Sequence, residues 1–219
     1  MLREFEIMRY AEKEIAAILG KGAVNVRFFI AGGAYKSLLT GKPPRDIDIW
    51  APSAADREEL VFFLKQRNAV TLEQKDFSDV YKINGRVVEI AHKTRYPSLE
   101  ERVNKFDVAL SAIGVEHIPG GDLRGFIHSL AKKSVRQRKI LLLKPLVNWK
   151  YALATLSRMR RYANELGFSS PPEEEAEIWQ IFKSQSYEMR LEMIARHKNV
   201  VIEDYGVAEE AEEIACRFR

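Results

Sequence analysis

The feature that most constrains this chain is a glycine pair directly after an apolar segment, followed twelve residues later by alternating acidic and apolar residues. The apolar segment is 28–31, the glycines are Gly32 and Gly33, and the alternation is Asp-Ile-Asp-Ile at 46–49. Because successive side chains of a strand point to opposite faces, both aspartates are predicted to share one face. Two carboxylates on one rigid strand can bind a hard divalent cation, and such a site suits phosphoryl or nucleotidyl transfer.

The glycine pair supplies a complementary property. Without Cβ atoms, Gly32 and Gly33 let the backbone approach a phosphate closely. The sequence predicts a short helix from Ala34 to Leu39, whose first amides would face that phosphate. A Gly-Gly or an Asp-x-Asp is by itself usually a turn or a pair of solvated carboxylates. The prediction of a nucleotide site therefore depends on both features in one strand–helix–strand context.

The first half of the chain mixes helical and strand patterns. Apolar spacing predicts an amphipathic helix over 2–19, and Ser53 is predicted to cap a helix that ends near residue 67. Asn84-Gly85 between two alternating segments predicts a type I′ hairpin. A brief helix is predicted after Ser98. The predicted strands are 24–31, 47–50, 70–74, 80–83, 86–91 and 108–115.

The second half of the chain is predicted to be almost entirely helical. After a Pro-Gly-Gly loop at 119–121, helices are predicted at 123–133, 145–166, 174–185, 187–197 and 208–217. This organisation predicts an α+β fold, with a mixed sheet flanked by helices in residues 1–120. A smaller helical region, basic and then acidic, is predicted over 121–219.

Cysteine and histidine usage excludes several classes of site. Cys216 is the only cysteine, so an intrachain disulfide framework and a cysteine-rich zinc site are excluded. The histidines lack metal-ligand spacing, and the chain has neither a P-loop nor a visible Ser-His-Asp arrangement. No stretch reaches 18 uninterrupted apolar residues, so no membrane association is expected. A reducing, cytoplasmic location is the expectation.

The charge distribution is one-sided. Residues 123–164 contain eleven Lys or Arg and no acid, whereas residues 171–213 contain twelve acids and four bases. A basic block must face an anion or tolerate self-repulsion, and phosphate is the usual anion. Two interpretations stay open: a surface for triphosphate or RNA, or a solvated helix face that the acidic segment partly neutralises.

The glycine pair and the acidic alternation resemble the Gly-Gly or Gly-Ser and Asp-x-Asp motifs of the polymerase β nucleotidyltransferase superfamily. The longer string over 31–39, with Gly41, Pro43, Pro44 and Arg45, is similar to the head domain of tRNA CCA-adding and bacterial poly(A) polymerase enzymes, class II-like. The likeness extends to about residue 168 and is thin after residue 107. It implies a Mg²⁺ (or Mn²⁺) cofactor held by Asp46 and Asp48, and an NTP substrate.

The resemblance also implies a third carboxylate on a later strand, which binds metal and helps deprotonate the attacking hydroxyl. Glu89 is the candidate, and Asp107 is the alternative because it lies where the branch has Arg-Arg-Asp-Phe-Thr. Candidates for binding the NTP, besides both glycines and Asp107, are Lys36, Arg158 and Arg161. The two arginines are predicted to share a helix face at i, i+3.

The chain departs from this branch at several positions. Lys36 stands where the branch has arginine after its glycines, which loses a bidentate donor. Lys105 and Phe106 replace the two arginines before the later Asp. The positions that read the incoming base fall near Ala152 and Thr155, so selection of C and then A is not expected.

Three functions follow as hypotheses. The first is transfer of a nucleoside monophosphate to an acceptor hydroxyl, with an RNA or tRNA-like 3′ end as acceptor. The second keeps the chemistry but uses a small molecule or a protein as acceptor. The third is a catalytically inactive nucleotidyltransferase-like module that binds RNA or protein. The sequence predicts neither the preferred NTP nor the oligomeric state.

Overall fold

The computed structural model describes residues 2–20, 25–94 and 96–217, and the chain forms two compact units. The first unit comprises the chain up to Phe106 together with Leu110–Lys132. The second comprises Asp107–Ala109 and the chain from Lys133 onward. The chain thus passes to the second unit for good after Lys132.

The first unit is a mixed sheet of seven strands in the order β3-β4-β5-β2-β1-β6-β7. The strand β2 pairs parallel with β5, and the other neighbours pair antiparallel. The strands are β1 (Phe28–Ala31), β2 (Ile47–Trp50), β3 (Val70–Gln74), β4 (Ser78–Ile83), β5 (Arg86–Ala91), β6 (Ile113–His117) and β7 (Leu123–Ile127). A mixed sheet with flanking helices confirms the predicted α+β class.

Helices flank both faces of this sheet. They are α1 (Glu4–Leu19), α2 (Ser37–Thr40), α3 (Ala54–Gln66) and α4 (Leu99–Val103), with α5 (Ser129–Gln137) at the end of the unit. Ile7 and Ile18 of α1 are at most 1% exposed and pack with Leu60 of α3 in the main core. The helix predicted over 2–19 is present, but its buried stripe contains Ile7, Ala11 and Ile18, whereas Phe5, part of the apolar spacing that predicts the helix, is 53% exposed.

Local signals in the first unit are confirmed. The Ser53 hydroxyl accepts from the Asp56 N–H at 3.1 Å and caps α3. Asn84 and Gly85 have φ of 47° and 77°, the left-handed pair that a type I′ turn requires. The predicted strand from Val24 begins outside the described residues, and within them β1 begins at Phe28.

Two local predictions are wrong. The helix predicted over 123–133 is a strand at Leu123–Ile127, and α5 starts only at Ser129. The strand predicted over 108–115 contains a 3₁₀ turn at Ala109–Ser111, and β6 starts at Ile113. Tertiary pairing explains the first error, because all five residues of β7 pair with β6. A Cβ on Gly125 would also meet Ile7 of α1 at 3.2 Å, so α1 packs closely over this residue.

The second unit is helical and built around α6. Its helices are α6 (Ala152–Leu166), α7 (Pro172–Lys183), α8 (Tyr187–Val200) and α9 (Val207–Arg217), and a 3₁₀ turn at Trp149–Tyr151 leads into α6. Leu153, Leu156 and Met159 of α6 are fully buried. Among the described residues, no helix is both long and apolar enough to cross a bilayer.

Candidate active site

The strand β2 presents acidic side chains on the face opposite the core. Ile47 and Ile49 are 1% exposed, whereas Asp48 and Trp50 between and after them are partly exposed. Asp46 directly precedes the strand and is also partly exposed. The period-2 alternation predicted from the sequence is thus present, and it separates a buried apolar face from a face that carries carboxylates.

Gly32 leaves the space that the Asp48 carboxylate occupies. A Cβ on residue 32 would lie 2.7 Å from Asp48 Oδ2, closer than real Cβ contacts allow. The backbone of Gly32 has φ of 126° and ψ of −151°, a conformation that is essentially restricted to glycine. Its N–H donates to the carbonyl of Ile113 on β6 at 3.1 Å. Both the backbone and the space at this position therefore require glycine.

The residues after the glycine pair form two short turns rather than one regular helix. A 3₁₀ turn covers Gly33–Lys36, and α2 continues it to Thr40. Tyr35 anchors the segment, because its buried hydroxyl donates to the carbonyl of Ile30 at 3.0 Å. Burial raises the pKa of the Tyr35 phenol well above its usual value, so this anchor stays protonated. Lys36 lies at the end of the 3₁₀ turn and is partly exposed.

Glu89 lies beside Asp48 on the neighbouring strand. The parallel register of β2 and β5 pairs Asp48 with Glu89, so both side chains project from the same face. The Glu89 carboxylate is held by two groups, the Ser78 hydroxyl at 2.6 Å and the Lys75 ammonium at 3.1 Å. Asp46 is paired with Arg45 at 3.3 Å. Within the described residues, no cluster of three or more acidic, histidine or cysteine groups has the geometry of a metal site.

A buried arginine with aromatic neighbours, which the sequence interpretation missed, adjoins this face. Arg102 of α4 is 7% exposed, and its guanidinium lies 3.6 Å from the Trp50 ring centroid and 4.1 Å from that of Phe106. The edge of the Phe106 ring is 3.7 Å from the position that a Cβ of Gly32 would take. The alternation through Asp46 and Asp48 predicts Trp50 on the same face, so the sequence could have indicated an aromatic ring beside the carboxylates.

The remaining nucleotide-binding candidates lie in the second unit. Asp107 accepts from Arg158 at 2.5 and 2.7 Å, from the Thr155 hydroxyl at 2.7 Å and from the N–H of Val108 at 2.8 Å. Burial opposes ionisation of Asp107, but the Arg158 charge and these hydrogen bonds outweigh it and lower the pKa. Arg158 and Asp107 thus form an ion pair inside this unit.

Arg161 is less strongly engaged than Arg158. Its Nε lies 3.6 Å from Glu165, and its side chain is 18% exposed. The guanidinium also lies 5.5 Å from the Tyr162 ring centroid. The structure therefore brings Gly32, Asp48 and Glu89 together in the first unit, whereas the two predicted arginines belong to the second.

The fold of this chain is similar to that of solved tRNA-processing and CCA-adding enzymes. Three solved structures with this fold are a tRNA-processing enzyme in an apo form, the CCA-adding enzyme of Bacillus stearothermophilus in complex with CTP, and a tRNA nucleotidyltransferase complexed with a primer tRNA and an incoming ATP analog. Their TM-scores are 0.60, 0.52 and 0.58, at 21%, 22% and 21% sequence identity.

These likenesses cover most of this chain but only part of the other proteins. They span 100%, 89% and 95% of this chain, and 58%, 48% and 60% of the solved chains in the same order. No protein-family model matches the sequence, and no curated protein matches it either. The resemblance to the head domain of CCA-adding enzymes is thus seen in the fold, at low sequence identity.

Proposed function

We propose that this chain is a metal-dependent nucleotidyltransferase that moves a nucleoside monophosphate from an NTP to a hydroxyl at an RNA 3′ end. The observation that carries the proposal is the fit between Gly32 and Asp48. The Asp48 carboxylate lies 2.7 Å from the position that a Cβ of residue 32 would take, and the backbone conformation of residue 32 is one that only glycine adopts readily. Glycine adopts this backbone without a Cβ penalty, so residue 32 is matched to the position of the Asp48 carboxylate.

The residues of this face fit a hard divalent cation. Asp46, directly before β2, and Asp48, within it, supply carboxylate oxygens, the ligand type that Mg²⁺ and Mn²⁺ prefer. Triphosphate and water oxygens commonly complete such sites, so two protein carboxylates are enough to begin one. We assign Glu89 as the third carboxylate because it is in register with Asp48. The bound metal would neutralise the charge that develops on the phosphates.

The reaction forms a bond from the acceptor hydroxyl oxygen to the α-phosphorus and breaks the bond from that phosphorus to the pyrophosphate oxygen. Pyrophosphate leaves, and the hydroxyl proton passes to a carboxylate, for which Glu89 is the proposed acceptor. Gly32 and Gly33 allow close approach of the triphosphate, and Lys36 supplies a positive charge next to them. Arg161, Arg158 and Asp107 remain nucleotide-binding candidates of the second unit.

An RNA acceptor is favoured by the neighbours and by the basic block at 123–164. One similar enzyme was solved with a primer tRNA and an incoming ATP analog. Ordered addition of C and A is not part of this proposal, because Thr155 donates to Asp107 and Ala152 is fully buried. The incoming base would therefore be read by other residues, or not read at all.

A second candidate is an inactive nucleotidyltransferase-like module that binds RNA. The contacts of Glu89 with Lys75 and Ser78 favour it, since both carboxylate oxygens already have partners. Phe106, in place of an arginine, also puts an apolar ring beside Gly32. This candidate predicts RNA binding without consumption of NTP.

The test is a labelling assay with Mg²⁺, each α-³²P-labelled NTP in turn, and total tRNA. We expect the label to enter RNA, and the Asp46→Asn, Asp48→Asn double variant to lose at least about 10³-fold in rate because the metal ligands are removed. Asp122→Asn, which removes an exposed carboxylate of the β6–β7 loop, is the matched control. Labelling that survives the double variant would refute the assignment. If NTP is consumed in the presence of a metabolite extract while no RNA is labelled, the acceptor is a small molecule rather than RNA.

A further inference from the structure

The structure divides the basic block at 123–164 into paired and unpaired cations. Six of its eleven basic residues form ion pairs with carboxylates. Several of these carboxylates belong to the acidic segment of the second unit, residues 171–213. Arg160 contacts Glu175 at 3.0 Å and Glu210 at 2.6 Å. The paired residues are Arg124, Lys132, Lys144, Arg158, Arg160 and Arg161. These cations are already neutralised by the fold.

Four other cations lie within seven residues of the chain and have no acidic partner within 4.0 Å in the described residues. They are Lys133, Arg136, Arg138 and Lys139, all in the second unit, all exposed, and hereafter called the α5 basic surface. Lys133 and Arg136 are i, i+3 neighbours on α5 and share a face. One cation near the helix C-terminus is explained by the helix dipole, but four adjacent ones repel each other.

The turn that carries Arg138 is fixed by the backbone in a conformation unfavourable for arginine. Arg138 has φ of 53°, in the left-handed region that costs a residue with a Cβ about 1–2 kcal/mol. Its N–H donates to Val135 at 3.3 Å, and its carbonyl accepts from the Ser169 N–H at 3.0 Å. Glycine would suit this backbone better. The Arg138 side chain is exposed, and its guanidinium carbon lies 5.3 Å from the Phe168 ring centroid.

We infer that the α5 basic surface binds the phosphodiester backbone of the RNA acceptor. This inference rests on the proposed function, since it assigns a surface to the acceptor named there. Lys133 to Gln137 span about 6 Å at about 1.5 Å per residue. A nucleic-acid strand carries a phosphate about every 3.4 Å of duplex axis, so this surface faces neighbouring phosphates of one strand. Cations without nearby carboxylates recognise charge rather than base sequence.

The experiment measures binding of the full chain to fluorescein-labelled tRNA by anisotropy, without NTP or Mg²⁺, at 50 to 200 mM salt. The test variant carries Arg138→Gly and glutamine at the other three positions of the surface. The matched control has glutamine at four exposed lysines elsewhere: Lys13, Lys65, Lys183 and Lys198. Each lost phosphate contact lowers the slope of log affinity against log salt by about 0.7–0.9, so the test variant should lose about 3 units.

Arg138→Gly alone separates binding from folding. We expect its thermal stability to equal or exceed that of the parent, because glycine relieves the left-handed strain, while affinity for tRNA falls severalfold. An unchanged salt slope in the test variant, or equal losses in test and control variants, would overturn the inference. Tighter binding to vesicles of anionic phospholipid than to tRNA, lost in the same variant, would also overturn it.

The two proposals fail in distinguishable ways. If the parent chain never labels RNA but the test variant loses tRNA binding, the inference about the surface is upheld and the catalytic proposal is refuted. Full labelling of RNA by the test variant, with unchanged tRNA affinity, would refute the surface and uphold catalysis.

Discussion

Substitution of Gly32 by alanine tests whether the end of β1 is built around the Asp48 carboxylate. The new Cβ would lie 2.7 Å from Asp48 Oδ2, and the backbone at φ of 126° is unfavourable for any residue with a Cβ. We expect the free energy of unfolding to fall by about 1–3 kcal/mol from the backbone alone. The carboxylate must also move away, and a displacement of about 1 Å at a reacting centre costs about 10²-fold in rate.

The matched control for Gly32→Ala is Gly85→Ala. Gly85 also has a positive φ, 77°, but nothing lies within 4 Å of the position that its Cβ would take. Gly85→Ala should lose about 1–2 kcal/mol of stability in chemical denaturation from its left-handed backbone. Only Gly32→Ala should lose RNA labelling and weaken Mn²⁺ binding measured by calorimetry. Full Mn²⁺ affinity in Gly32→Ala, or an equal loss of affinity in Gly85→Ala, would refute this account of the site.

Two further predictions concern charged groups. Asp107→Asn should lower the free energy of unfolding by about 1–3 kcal/mol at neutral pH. This loss is smaller than for a fully buried ion pair, because the Arg158 side chain is 38% exposed and solvent screens its charge. Since the folded pKa of Asp107 is lowered, its contribution is present above the unfolded pKa near 4 and is lost on acidification below it. Denaturation curves of the parent and the variant should therefore converge at acid pH, and a constant difference would contradict the ion pair. Lys75→Met should raise Mn²⁺ affinity about tenfold by removing a cation from Glu89, whereas Glu89→Gln should lower it. Unchanged affinity in both would place Glu89 outside the metal site.

Short-range chemistry made much of the first unit predictable. The cap at Ser53 and the hairpin at Asn84-Gly85 depend on a few neighbouring residues, and both are confirmed. The alternation of β2 reflects one buried face. The predicted helix over 123–133 failed because the strand pairing of β7 with β6, and the packing of α1 over Gly125, are non-local.

The candidate site shows the same division between local and non-local information. The sequence indicated Asp46 and Asp48 by their alternation, and it indicated Glu89 as an acid within an apolar strand. It could not show that Lys75 and Ser78 hold Glu89, because the β4–β5 register decides which side chains meet. In the second unit, Arg158 was expected to contact a nucleotide, and the structure pairs it with Asp107.

By itself, the sequence determined the α+β class, the glycine pair, the acidic strand and the presence of a basic block. Each of these depends on residue type and on spacing within one or two elements. Only the tertiary structure decided that Asp48 fills the space left by Gly32, and which cations of the block are neutralised. The physical reason is that ion pairing and steric fit depend on distances between residues far apart in the chain, such as Arg160 and Glu210, and strand pairing and helix packing set those distances.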